Sequence, residues 1–165
     1  MTRLTLPLTF SLTLSLGLGA CDGGGASVLE CTGTCSCVEE TRTCTCQGGT
    51  DCVVEGASDV TLNCDGNARC DLACDTNCVV NCPGTAGCVA SLGAAGRGVC
   101  NGTGSCDYTC RGDCQIDCPG TSSCVVRCAA GATCTISSCG PRVMDCGDGV
   151  QACRTACPPP PDAGA

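Results

Sequence analysis

From residue 64 to residue 128 the chain alternates cysteine or apolar positions with polar ones, in short bursts. The bursts read Cys70-Asp-Leu72-Ala-Cys74, Cys78-Val-Val80-Asn-Cys82, Cys106-Asp-Tyr108-Thr-Cys110, Cys114-Gln-Ile116-Asp-Cys118 and Cys124-Val-Val126-Arg-Cys128. Cysteine at i and i+4 around a bulkier residue at i+2 is the period of a strand with one buried face. The gaps are three or five residues of mostly Asp, Asn, Gly, Pro and Thr, as in Asp65-Gly66-Asn67 and Pro83-Gly84-Thr85. That is turn chemistry. No window carries the 3.6-residue period of an amphipathic helix. The pattern predicts an all-β, disulfide-stapled protein of short strands, either β-solenoid-like coils of about 18 residues or a narrow meander.

A long-range repeat organises these bursts. Residues 64–91 read CDGNARCDLACDTNCVVNCPGTAGCVAS, and residues 100–127 read CNGTGSCDYTCRGDCQIDCPGTSSCVVR. Six cysteines coincide at an offset of 36, as do the Pro-Gly-Thr turns at 83–85 and 119–121. The unit divides again into coils of 18, with Cys64, Cys82, Cys100 and Cys118 as one series and Cys70, Cys88, Cys106 and Cys124 as another. One coil has Leu92 and Gly96 where its neighbours have Cys74/Cys110 and Cys78/Cys114. Two losses flanking one turn suggest that both halves of a single bond went together. The expected bonds are therefore Cys74–Cys78 and Cys110–Cys114 across three-residue turns. Cys64–Cys70, Cys82–Cys88, Cys100–Cys106, Cys118–Cys124 and Cys128–Cys134 would close the longer ones. The ends of one extended five-residue strand lie roughly 13 Å apart, too far to pair. Bonds between stacked coils, about 4.8 Å apart, fit the same window and are the rival scheme.

Upstream, residues 34–39 and 42–47 read as a β-hairpin around Glu40-Thr41. That register sets Cys37 opposite Cys44 and Cys35 opposite Cys46, with Cys31 and Cys52 bracketing the pair. Downstream, Cys139, Cys146, Cys153 and Cys157 lie outside the repeat and read as a cap of unassigned pairing. The expected organisation is a signal peptide over 1–20, a Gly-rich tether over 21–30 and a cysteine-rich hairpin segment over 31–56. The repeat domain then covers 57–139, the cap 140–157 and an extended Pro-rich tail 158–165.

Composition sharpens the picture. The 165 residues hold 25 cysteines and 24 glycines, with no His, Lys or Trp. Cysteine at that density marks an oxidised, exported framework. A chain without His or Lys has no Ser-His or Cys-His dyad, Schiff-base lysine or imidazole metal site. A net charge of −8 with one tyrosine argues against nucleic acid, since it repels phosphate and offers no stacking platform. Beyond residue 20 there are only twenty Val, Leu, Ile and Met residues, a thin core for this length. Disulfides closing small loops, each worth on the order of 2 kcal/mol, offset that deficit.

The first 21 residues give an address. Arg3 is followed by an uncharged, mostly apolar run from Leu4 to Leu16, too short to span a bilayer as a helix. Leu18-Gly19-Ala20-Cys21 resembles the lipobox of bacterial lipoproteins. The resemblance implies cleavage before Cys21, acylation of that cysteine, and a membrane-anchored envelope protein on the periplasmic face or outer surface. Removing Cys21 from 25 leaves 24 cysteines, an even number that twelve disulfides would consume.

Candidate chemistry is sparse. Cys-x-Cys at 35–37 and 44–46 is similar to metallothionein-like clusters, but the repeat spacing and the absence of Cys-x-x-Cys point away from metal and from thioredoxin-type redox work. Asp107, Asp113 and Asp117 read as turn and outer-face acids rather than catalytic carboxylates. No enzymatic activity, cofactor or metal is expected. Arg111-Gly112-Asp113, held between Cys110 and Cys114, resembles the constrained integrin-recognition loop of adhesive proteins, and is the one candidate binding turn. The outward strand positions form no threonine ladder, which excludes an ice-binding face. The expectation is a lipid-anchored, non-enzymatic structural or surface-interaction module of the cell envelope. The alternative is a binding protein that meets a receptor, glycan or metal at its turns.

Overall fold

The structure is a computed structural model that describes residues 29–48, 51–67, 69–85, 87–140 and 142–159. The signal segment, Cys21 and most of the tether lie outside these residues, as does the tail from residue 160. Fifteen strands follow one another: β1 (Glu30–Gly33), β2 (Cys35–Val38), β3 (Thr43–Cys46), β4 (Cys52–Ala57), β5 (Thr61–Cys64), β6 (Cys70–Thr76), β7 (Val79–Cys82) and β8 (Cys88–Ala94). Then come β9 (Gly96–Cys100), β10 (Ser105–Cys110), β11 (Cys114–Asp117), β12 (Ser123–Cys128), β13 (Cys134–Ser137), β14 (Val143–Gly147) and β15 (Val150–Cys153). No helix occurs among the described residues.

The chain is a β-solenoid of about five coils. Each coil lays one strand in each of two facing sheets, ordered β1-β4-β6-β8-β10-β12-β15-β14 and β13-β11-β9-β7-β5-β3-β2. Successive coils stack in parallel and in register at the 18-residue offset, so Cys70, Cys88, Cys106 and Cys124 stand in one column. The parallel ladder decides between coils and meander, because a meander would pair its strands antiparallel. Antiparallel strands close both ends: β1 on β4 and β2 on β3 at one, and the β14–β15 pair on β12 at the other. Such caps protect the open ladder edges of a stacked repeat.

Strand alternation puts the core between the sheets. Val54, Leu72, Ala90, Tyr108 and Val126 form one inward row, and Leu62, Val80, Gly98 and Ile116 another. Tyr108 is the largest buried side chain, and the opposite row yields to it. A Cβ on Gly98 would lie 2.6 Å from the Tyr108 ring and 2.8 Å from Ile116 Cδ1. The coil carrying Ala90 and Gly98 is thus thinned to admit the tyrosine of its neighbour. At the five-residue turns Gly66, Gly84, Gly102 and Gly120 repeat at the same offset. A Cβ on Gly84 or Gly102 would strike the carbonyl of the glycine one coil below, so the turns stack only without side chains there.

The hairpin has the expected register, Cys37 opposite Cys44 and Cys35 opposite Cys46. The sulfurs divide differently. Cys37 bonds Cys44, but Cys35 bonds Cys31 and Cys46 bonds Cys52. The reason is that β3 already belongs to the solenoid, pairing in parallel with β5, and its end faces a corner rather than its hairpin partner. The coils therefore begin near Thr43, upstream of the boundary expected at 57.

Candidate functional site

Two corners join the sheets, and nearly all the chemistry of the chain lies on them. At the five-residue corner Cys46–Cys52, Cys64–Cys70, Cys82–Cys88, Cys100–Cys106 and Cys118–Cys124 form an unbroken column, with Cα separations of 6.0 to 6.6 Å. At the opposite corner Cys74–Cys78 and Cys110–Cys114 close three-residue turns, and Cys128–Cys134 closes a longer one. Leu92 and Gly96 occupy that corner in the coil between them, and one coil earlier a bulge in β4 sets Ala57 opposite Cys74, with Val60 at the far side of the turn. Cys139–Cys153 and Cys146–Cys157 staple the cap. The described residues thus contain twelve disulfides and no free thiol. Although Cys82 and Cys100 lie side by side in register, each bonds across its own turn.

The series at 64 and 70 extends one coil upstream, to Cys46 and Cys52. That 18-residue step was visible in the sequence, but the hairpin pattern around the same cysteines concealed it. Nothing comparable announced the cap pairs, whose loops match no repeat.

The Arg111-Gly112-Asp113 turn is fastened at both ends. Arg111 Nη2 donates to the Cys74 carbonyl at 2.7 Å and lies 3.6 Å from Asp75 Oδ1, two coils back. Asp113 Oδ1 accepts from the Thr133 backbone N–H at 2.7 Å, one coil on. Gly112 packs on the Ala94 backbone, where a Cβ would come within 2.9 Å. The tripeptide is a strut across four coils.

Other arginines act in the same way. Arg42 donates to the carbonyls of Ser58 and Asp59, at 2.6 and 3.2 Å. Arg127 pairs with Asp107 in the adjacent coil. Arg154 in the cap donates to the carbonyls of Cys118, Ser122 and Ser138. Polar side chains repeat the theme one coil apart, as in Asn81 to Asn63 at 2.9 Å and Asn77 to Asp59 at 2.6 Å.

Three sulfurs, those of Cys110, Cys114 and Cys134, lie within 4.8 Å of one another. All three are oxidised, and a disulfide sulfur is no thiolate ligand. Tyr108 is buried with its hydroxyl 3.7 Å from Cys82 Sγ, and burial pushes its pKa well above the usual phenol value. It stays protonated and is walled off from solvent.

One concavity lies beside the Leu92–Gly96 turn, which lacks a bond. It has a volume of about 540 Å³, and Asn77, Val79, Arg97, Asp113, Gln115 and Thr135 are among the residues that line it. Its floor is Ala95-Gly96, small residues at a turn where the neighbouring coils place Asn77 and Asp113. No helix among the described residues is long and apolar enough to cross a membrane. No protein-family model, curated protein or solved structure matches this chain.

Proposed function

We propose that the protein is a non-enzymatic structural module of a bacterial cell envelope, held to a membrane by lipid on Cys21. The unbroken column of five disulfides carries the structural part of this reading. A coil such as the one with Cys70, Leu72, Cys74, Cys78, Val80 and Cys82 turned inward buries few large apolar side chains, and covalent closure of its turns offsets that shortage. The fastening of Arg111 and Asp113 supports a structural use of that turn as well, because an adhesive loop needs both head groups free. The lipid anchor rests on Leu18-Gly19-Ala20-Cys21 and on the even cysteine number that remains without Cys21. A Gly-rich stretch between anchor and first coil would hold a rigid rod off the membrane surface.

Metabolic labelling with a palmitate analogue tests the reading. Label and membrane sedimentation are expected for the native chain and are expected to vanish together in Cys21→Ala. A Cys21→Ala chain that remains labelled and sediments with membranes would refute the anchor.

A further inference from the structure

We propose that the groove around Arg97 binds a hydroxyl-rich carbohydrate carrying an isolated carboxylate. This goes beyond the structural reading and does not depend on the lipid anchor.

The groove owes its depth to Ala95, a small residue at the position where the neighbouring coils carry Asn77 and Asp113. Gly93-Ala94-Ala95-Gly96 stands between Asp75-Thr76-Asn77-Cys78 on one side and Arg111-Gly112-Asp113-Cys114 on the other. Gly93 and Ala94 pack closely on those turns, and Ala95 leaves a trough between Asn77 and Asp113. Just past its floor comes Arg97, exposed, with neither a hydrogen bond nor an ion pair on its guanidinium among the described residues. That sets it apart from Arg42, Arg111, Arg127 and Arg154, each tied to another coil. A guanidinium presents a planar fork of donors matched to a carboxylate.

The groups beside it suit hydroxyls. Register places Gln115 next to Arg97 and Thr135 next to Gln115, along a ladder with rungs about 4.8 Å apart. That step is close to the advance of one pyranose ring along a chain. The Gln115 amide both donates and accepts, as does the Thr135 hydroxyl, and neither makes a side-chain hydrogen bond among the described residues. Asp113 spends Oδ1 on Thr133 and keeps its second oxygen as an acceptor. One fixed cation followed by neutral donors and acceptors at ring spacing describes a sugar chain with a single acid group.

Charge narrows the class further. With a net charge of −8 the protein repels polyanions, so sulfated or phosphorylated polymers are disfavoured. One carboxylate against one arginine is compatible with that field.

The test is calorimetric titration of the purified full-length chain with an aldotetraouronic acid, one glucuronate on a xylotriose. The same tetrasaccharide with its carboxyl esterified, and a triglutamate peptide, serve as comparisons. Binding to the acid is expected, at least tenfold weaker for the ester and the peptide. Arg97→Gln should weaken the acid at least tenfold, and Gln115→Leu two- to fivefold. Arg142→Gln, which alters another exposed arginine without a side-chain partner, should change nothing. Arg97 touches no other side chain through a polar contact, so its variant should melt like the native protein. The proposal is overturned if the native chain fails to bind, if triglutamate binds as well as the sugar, or if Arg142→Gln loses as much as Arg97→Gln.

Discussion

The two corners of the solenoid solve one problem in different ways. Both must turn the chain from one sheet to the other and seal the edge of a thin core. The five-residue corner uses a disulfide in every coil. The opposite corner uses one in some coils only, Cys74–Cys78, Cys110–Cys114 and Cys128–Cys134, and sets Leu92 against Gly96 in the coil between the first two. Leu92 is fully buried there, and a Cβ on Gly96 would come within 2.8 Å of the Leu92 Cβ. The leucine fills the space of the missing cystine, and glycine is what lets it fit. In the earlier coil Val60 is buried, and a bulge with Gly56 at a positive φ of 76° sets Ala57 opposite Cys74. A leucine–glycine pair is therefore a packing substitute for a bond, available where the turn is short. Such a corner contributes burial but no constraint on the unfolded chain.

The comparison is broken most severely by removing all the bonds at once. In strong reductant both corners should open, and the β signature in circular dichroism should disappear at room temperature, because twenty aliphatic side chains cannot hold the coils alone. The oxidised protein should keep that signature on heating under the same conditions. Persistence of a cooperative melt in the fully reduced protein would mean that packing, not cystine, holds the fold.

A smaller change tests whether leucine and cystine are equivalent at the short corner. Leu92→Ala should cost about 2–5 kcal/mol, as for other core leucines. Gly96→Ala should cost about 1–3 kcal/mol by crowding Leu92. The double change Leu92→Cys with Gly96→Cys should behave differently. It should form a thirteenth bond, leave no titratable thiol, and melt close to the native protein. Loop closure worth about 2 kcal/mol would then replace a similar burial term. Two free thiols in the double variant would show that this coil cannot adopt the geometry of its neighbours.

The smallest effect concerns Tyr108, which the thinned coil accommodates. Burial raises its pKa above the ordinary value of 10.0, so the folded protein retains a proton that the unfolded chain loses in alkali. Its contribution is complete below pH 10 and declines as the pH rises above it. The melting temperature should fall across that range in the native protein, and less in Tyr108→Phe. Equal slopes would place the alkaline sensitivity elsewhere.

Much of this was legible because it is local or periodic. Alternation at two residues marks Cys70–Cys74 and Cys106–Cys110 as strand, and a gap of three or five turn residues brings flanking cysteines within bonding distance. The offset of 18 residues aligns the coils without any knowledge of their contacts. What periodicity could not supply was the fate of cysteines that satisfy two patterns at once. Cys46 is both a hairpin residue opposite Cys35 and the first member of a corner column, and only the parallel pairing of β3 with β5 settles which bond it makes. The Arg111-Gly112-Asp113 turn misleads for a related reason. As a string it resembles a recognition loop, yet its partners at Cys74 and Thr133 lie 37 and 20 residues away.

The sequence by itself determined the strand period, the turns and the oxidised character of the chain, since each depends on residues within one coil or on simple parity of cysteines. Tertiary structure decided what depends on stacking. It chose coils over a meander, joined Cys139 to Cys153 and Cys146 to Cys157, and fitted Tyr108 against Gly98. It also set the small Ala95 between Asn77 and Asp113, which makes a groove with Arg97 beside it. The physical reason is one of range. A turn-closing bond is dictated by a few residues of chain, whereas the space a side chain fills is defined by the coils above and below, 18 residues away in either direction.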